Sequence, residues 1–452
     1  MTEGKIYKKI ILFALPIFLG QLFQQLYNVI DSLVVGNELG KEALAAVSSS
    51  GNLIFLLVGF INGVFVGAGV VIGKYIGAGD KDRVHTAVHT TVAFGLLSGI
   101  MLTVLGMIIT PVLLRLMRTP ENVLPESIKY FRWYFAGSVG NVMYNTFMGI
   151  FQARGDGKHP LYYLIISSII NVVLDILFVR YLRMGVEGAA IATAISHIFS
   201  AILSLMKLMN TDDVHRVVLK DIKLDAPMLR EVLATGLPTG VQNSVIALAN
   251  VLVQSNINVF GDNAMAGCGA YSKLEGFAFL PVTSFSVSLT TFTSQNLGAK
   301  QYDRVRKGSV FGVISGVALA ELIGFAFVAL APQLVALFNK TPEVVAFGAE
   351  QARIEAWFYC LLSLSHCMAG ILRGAGKTKV PMFIMLICWC AIRITYITIT
   401  VSLVPDIRVI FWAYPLTWFL SSICFVVYYL KADWIHNFDR QDEKRRLKQQ
   451  QV

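Results

Sequence analysis

The chain is 452 residues long, 55% hydrophobic and only 15% charged, with a mean hydropathy of +0.63 and a formal net charge of +10. A water-soluble protein of this length needs far more charge to cover its surface. Soluble enzymes and soluble binding modules are thereby excluded, and a membrane protein is expected.

A spanning helix needs about 20 apolar residues. The first such run, 8–35, carries Pro16, which removes a backbone hydrogen bond and predicts a bend. It also carries Gln21, Gln24, Gln25, Asn28 and Asp31, and is too long and too polar for a cleaved signal peptide. Spans follow at 48–73, at 88–113 behind His85 and His89, at 127–151 with Tyr130, at 160–182 with Asn171 and Asp175, and at 187–209 with Thr193. The segment 210–230, holding Asp212, Asp213, Lys220, Asp221 and Lys223, is the one long charged stretch between spans and reads as a cytoplasmic linker. Six more spans are predicted at 231–259, 265–294, 308–338, 346–372, 381–403 and 409–431, followed by a basic cytoplasmic tail over 432–452. The expected fold is all-α: twelve transmembrane helices in two pseudo-symmetric six-helix lobes, 1–209 and 231–431.

The two lobes are expected because the chain is written twice. Leu15-Pro16 returns as Leu237-Pro238, Gly77-Ala78 as Gly298-Ala299, Asp82-Arg83-Val84 as Asp303-Arg304-Val305, and Thr119-Pro120-Glu121 as Thr341-Pro342-Glu343. Arg154-Gly155-x-Gly157-Lys158 returns as Arg373-Gly374-x-Gly376-Lys377, and Pro160 as Pro381; the displacements run from 219 to 222 residues. Several matches lie in polar loops, where shared apolar composition cannot create them. Repeats of this kind place a substrate path between the halves of a transporter.

Basic residues set the orientation. With the N-terminus cytoplasmic, the cytoplasmic segments hold 26 Lys and Arg and the outer loops 7. Both termini are therefore expected in the cytoplasm, and this asymmetry accounts for the net charge without any nucleic-acid partner. The tail bases Lys444, Arg445, Arg446 and Lys448 are expected against anionic headgroups or in water.

Ionisable groups inside a span cost at least about 2.5–3.5 kcal/mol at its centre, so each needs a reason. Asn171 precedes Asp175 by one helical turn, which puts both on one face, and Ser168 extends it. Asp175 lies ~22 Å above the cytoplasmic start of its span at 1.5 Å per residue. Asp31, Thr193 and Tyr130 fall at overlapping depths on three other spans. Two carboxylates close together in a low-dielectric cavity cannot both stay charged, so one takes up a proton, or a Na+ ion satisfies both with the Asn carbonyl and Thr hydroxyl as further hard-oxygen ligands. At displacement 221 these positions hold Leu252, Tyr396, Ile392 and Tyr414, so the set is absent from the second repeat. There Arg393 would spoil a cation site. Lys273, Glu275, Arg353 and Glu355 are read as neutralising charge locally or with neighbours, and Glu275 as the one residue of that group that belongs to a substrate cavity.

Other motifs do not hold. Arg373-Gly374-Ala375-Gly376-Lys377-Thr378 lacks the glycine that a phosphate loop needs five residues before Gly376, where Ile371 stands. His85 and His89 have zinc-pair spacing without a third ligand nearby in sequence, and are read as interfacial. All six cysteines fall in spans of the second half and read as small apolar packing residues. No nucleophile–base set appears, so an enzyme is not expected, nor is any cofactor or structural metal.

With these residues in view, the chain resembles the multidrug and toxic compound extrusion (MATE) family over roughly 8–431. The resemblance is carried by Asp31-Ser32-Leu33-Val34-Val35-Gly36 with Leu39-Gly40 and Ala43-Leu44-Ala45-Ala46, by Gly77-Ala78-Gly79-Asp80, and by Arg154-Gly155-x-Gly157-Lys158-His159-Pro160. It continues in Asn171-x-x-x-Asp175, Gly188-Ala189-Ala190-x-Ala192-Thr193, Pro281 and Gln295-Asn296-Leu297-Gly298-Ala299. It implies twelve helices in two lobes and cation-driven export by alternating access. In the family's DinF-like branch it implies a first-lobe site at positions matching Asp31, Asp175, Asn171, Thr193 and Tyr130, with Gln24 and Pro16 matching positions tied to the cavity and the helix bend. The NorM-like branch adds an acid in the seventh helix, and the interior of 232–259 has none, a departure that favours the first lobe.

The expected function is secondary export of amphipathic, mostly cationic organic compounds from a bacterial inner membrane, driven by inward H+ or Na+ flow, by a chain that works as a monomer among membrane lipids. The abundant Phe and Met, 29 and 14 residues, suit adaptable apolar pockets. The alternative is a flippase for a lipid-linked precursor, which calls for a more basic central cavity. A membrane scaffold would not need paired acids.

Overall fold

The computed structural model describes the backbone of residues 1–116, 121 and 123–450; the side chains of 32–33, 36–37, 41–42, 44–46, 48–53, 55–56, 116, 444–446 and 448–450 lie outside the description. The Thr119-Pro120 landmark, Arg118 and the side chains of Lys444, Arg445, Arg446 and Lys448 therefore fall outside the described residues.

In hydrocarbon every backbone N–H and C=O must be bonded within its own segment, so long apolar runs become helices. The first repeat contains α1 (Ile6–Leu39), α2 (Lys41–Ala78), α3 (Lys81–Leu116), α4 (Leu124–Ala136), α5 (Ser138–Arg154), α6 (Lys158–Asp175) and α7 (Val186–Met209). The second contains α8 (Ala226–Asn258), α9 (Asp262–Gly298), α10 (Tyr302–Ala336), α11 (Pro342–Glu355), α12 (Tyr359–Gly374), α13 (Lys379–Met385), α14 (Arg393–Leu403) and α15 (Arg408–Lys431), with α16 (Asn437–Gln450) in the tail. Helices run past the expected spans because hydropathy registers only their apolar middle. α2 starts at Lys41, well before 48, and α8 starts at Ala226 inside the charged stretch.

Among the described residues eleven spans are long and apolar enough to cross a membrane as they stand. The fourth span is α4 and α5, which meet at Gly137, where an added Cβ would lie 2.2 Å from Ala194 Cβ of α7. In the second repeat the corresponding span breaks between α11 and α12 through a short 3-10 turn, Ala356–Phe358. Both fifth spans contain π turns, Ile176–Tyr181 after α6 and Leu386–Ile392 between α13 and α14. Counting the fourth, twelve spans form two six-helix repeats.

The duplication is visible in the backbone. Positive φ occurs at Gly40 (88°), Gly79 (70°) and Gly155 (90°), and 221 residues later at Gly261 (91°), Lys300 (57°) and Gly376 (72°). Gly155 thus corresponds to Gly376, and the 219-residue displacement of the Arg-Gly-x-Gly-Lys strings does not mark equivalent positions.

Packing divides the chain into two compact units, 19–240 and 1–18 with 241–452. The division falls inside α1 two residues after Pro16, and inside α8 two residues after Pro238. In the first unit α5 packs against α2, α3 and α7. Gly63 and Gly67 of α2 meet Gly240 and Gly236 of α8 so closely that a Cβ on Gly67 would lie 2.3 Å from Gly236 Cα. Small residues let backbones approach at this distance, which is how helices associate where no hydrophobic force separates them from lipid. The linker is pinned to the same unit: the Val218 N–H donates to His89 Nε2 (2.9 Å) and the Asp225 N–H to Thr90 Oγ1 (3.3 Å). In the second unit α9 packs against α10, α11 and α12.

Candidate functional site

Asp31 sits toward the C-terminal end of α1 and Asp175 ends α6 at the start of a π turn, both in the 19–240 unit. Asp175 is fully buried. The two carboxyls are within hydrogen-bonding reach of each other, and one oxygen of each, Asp31 Oδ1 and Asp175 Oδ1, is buried without a partner. Among the described residues no Lys, Arg or His pairs with either.

The remaining members arrive from three helices. With its amide turned to suit both neighbours, Asn171 Nδ2 donates to Asp175 Oδ2 (3.1 Å) and its carbonyl accepts from the Thr193 N–H (3.3 Å). Thr193 lies on α7, buried, its hydroxyl donating to the Ala189 carbonyl (3.0 Å). Tyr130 of α4 is buried within electrostatic range of both Asp31 and Asp175. Ser168 does not contribute its hydroxyl, which donates back to the Leu164 carbonyl (2.8 Å). Gln24, two turns before Asp31 on α1, is exposed, and no contact joins it to the carboxyls among the described residues.

Two tyrosines complete the surroundings and were not singled out from the sequence. Tyr27 precedes Asp31 by one turn and lies within range of both acids. Tyr134 follows Tyr130 by one turn, stacks on it at 6.3 Å and accepts a hydrogen bond from Asn141 Nδ2 (3.3 Å). The i,i+4 spacing of each to a residue already in the set was the available signal.

The second unit holds a different arrangement. Glu355 at the end of α11 is fully buried, accepts from Gln351 Nε2 (2.8 Å) and leaves Oε2 without a partner. Glu275 of α9 and Arg393 at the start of α14 share its electrostatic surroundings. Arg393 donates through Nε (3.1 Å) and Nη2 (2.7 Å) to Thr417 Oγ1 and lies over the Tyr414 ring at 4.2 Å. Tyr271 and Tyr359 hydroxyls meet at 2.8 Å beside this cluster. Arg393 is the base within electrostatic range of both Glu275 and Glu355, whereas Lys273 and Arg353 are exposed and Lys273 Nζ lies over the Phe338 ring at 5.8 Å.

His85 and His89 do gain a third group, Asp221 from the linker, with all three ligand atoms within 4.8 Å. His89 has no lone pair left for a metal, since Nδ1 bonds the His85 carbonyl (2.7 Å) and Nε2 accepts from Val218. The cluster fastens the linker.

The chain matches the family model MatE twice, over residues 16–177 and 238–399, one match per repeat. It is 28% identical over 390 residues to the probable multidrug resistance protein YoeA of Bacillus subtilis, covering 85% of this chain and 84% of that one. It is 26% identical over 399 residues to the probable multidrug resistance protein NorM of Thermotoga maritima, covering 86% and 84%. Its fold matches an outward-facing conformation of a multidrug resistance MATE family transporter of the MOP superfamily with a TM-score of 0.89 at 21% identity, covering 96% of this chain and 97% of that one. Twelve membrane helices in two repeats, a polar cluster buried in each half and two family matches in register with the duplication lead to one assignment: the chain belongs to the MatE family of membrane transporters.

Proposed function

We propose that this protein is a secondary exporter of amphipathic, mostly cationic organic compounds, and that Asp31 and Asp175 are its coupling unit. What carries the reading is a contrast between the two buried acid clusters. In the second unit a base of the chain itself, Arg393, lies within electrostatic range of the carboxyls. In the first, two carboxyls with an unpartnered oxygen each have no base beside them among the described residues. A buried pair of this kind is stable only when a cation comes from outside. Inward flow of that cation drives substrate out by alternating access, with Pro16 as the bend in α1 and Gln24 and Glu275 on the substrate path. These roles agree with the DinF-like branch.

A proton needs only the carboxyl oxygens. Na+ would also require the Asn171 amide to turn its carbonyl toward the ion, with Thr193 completing an oxygen shell. The proposed setting is a bacterial inner membrane with both termini cytoplasmic and the chain acting as a monomer. Expression in a pump-deficient bacterium should lower ethidium accumulation. In proteoliposomes an imposed pH or Na+ gradient should drive the same dye. Failure to move any candidate cation under either gradient, together with translocation of a lipid-linked sugar, would replace this reading with the flippase.

A further inference from the structure

The two repeats have diverged at one turn that the proposed coupling site does not include. Residues 79–86 are Gly-Asp-Lys-Asp-Arg-Val-His-Thr, with two bases and two acids; their counterparts 300–307 are Lys-Gln-Tyr-Asp-Arg-Val-Arg-Lys, with four bases and one acid. In the first repeat Gly79 takes positive φ (70°) and Asp80 pairs with Arg83 at 3.4 Å. In the second the same left-handed turn is held by Lys300 at φ 57°, a conformation that disfavours any residue with a Cβ. Asp80 has become Gln301, so the acid that neutralised the arginine is gone. The turn has accepted backbone strain and lost an acid, and both changes add positive character at one spot.

That spot is a cavity of about 470 Å3 lined by Lys300, Gln301, Tyr302, Asp303, Arg304, Arg306 and His436, three permanent bases against one acid. Its charges are only partly spoken for. Lys300 has a long contact with Asp439 (3.9 Å), and Arg304 donates through Nη2 to the carbonyls of Met1 and Glu3 (3.2 Å each). His436 is engaged with Asp433. Arg304 Nε, a donor, and Gln301 Oε1, an acceptor, are buried without partners. α10 starts here and crosses the membrane, so the cavity lies at a membrane surface. One turn beyond Arg306 on the same helix face is Val310 and one turn further Ile314, 54% and 62% exposed, followed by Leu322 at 66%.

We infer that this cavity binds the phosphate of an anionic phospholipid, whose acyl chains lie along Val310 and Ile314. Lys300, Arg304 and Arg306 meet the phosphate as donors, Gln301 Oε1 accepts from a headgroup hydroxyl, and the exposed stripe on α10 supplies the apolar surface a lipid needs and a free anion does not.

The test is native mass spectrometry of the full chain released from micelles doped with equal phosphatidylglycerol and phosphatidylcholine. The wild type should retain phosphatidylglycerol preferentially. Lys300→Gly with Arg306→His, which installs the first repeat's own residues, should lose about fivefold of that preference for each base removed. Lys300→Gly alone relieves the strained φ and serves if the double variant does not fold. Inorganic phosphate in excess at constant ionic strength should leave the lipid bound. Equal preference in wild type and variants, or displacement of the lipid by inorganic phosphate, would overturn the assignment.

Discussion

At the scale of single residues, the proposed coupling site is defined by what its carboxyls lack. Asn171 gives Asp175 an amide donor (3.1 Å), so Asn171→Leu leaves a buried carboxyl oxygen without that partner. Leaving a buried acceptor unsatisfied costs about 1–3 kcal/mol, so apparent affinity for the driving cation should change by about fivefold or more, read from the gradient dependence of dye transport in liposomes. Thr193→Ala should cause a partial loss, larger if Na+ is the coupling ion. In the second unit Arg393 is 3% exposed beside two carboxyls, and removing one partner of a buried charge cluster costs about 3–5 kcal/mol. Arg393→Met should lower the melting temperature in detergent by several degrees, and Arg393→Met with Glu355→Gln should recover part of it. A double variant no better than the single would show that Arg393 does not serve as the counter-charge. Asp31, Asp175 and Asn171 were legible in the sequence because buried acids are rare and one-turn spacing is unambiguous. Tyr27 and Tyr134 were not, since an aromatic in a membrane helix is ordinary until a neighbour gives it a role. The Arg393–Glu355 relation was hidden for another reason: its members lie on helices far apart in the chain.

At the scale of elements, the spans were readable from hydropathy, but their ends and interruptions were not. The break at Gly137 comes from the close approach of α7, a tertiary fact that no local pattern carries. The same holds where α2 meets α8. Gly67→Ala would drive a methyl against the Gly236 backbone at 2.3 Å, and backbone cannot move aside as a side chain can. Monodisperse protein should fall sharply in size-exclusion chromatography of Gly67→Ala. Gly269→Ala, which meets nothing within 4 Å, should behave as wild type or better. Equal yields from the two would refute the tight α2–α8 packing. The third positive-φ pair also explains why the Arg-Gly-x-Gly-Lys strings misled: the eye aligned sequence, whereas the turns align at 221, Gly155 with Gly376.

At the scale of the whole molecule, one ancestral repeat has become two with different chemistry. Among the described residues the first has paired carboxyls with no base beside them, while the second has a base at Arg393 and further bases around Lys300. On the proposed reading, this divergence separates a half that recruits a cation from a half that does not. On that reading, binding of the cation lowers the free energy of the loaded state of the first unit alone, and that difference can shift an access equilibrium. The most direct measurement is gradient-driven efflux of one dye from proteoliposomes for wild type, Asp31→Asn, Asp175→Asn and the double variant, each checked for insertion and melting temperature. The account predicts that either single variant abolishes gradient-driven transport while the protein still folds, and that the double is little worse than either, as expected of two residues acting as one unit. Wild-type efflux from both single variants would contradict it and turn attention to Glu275.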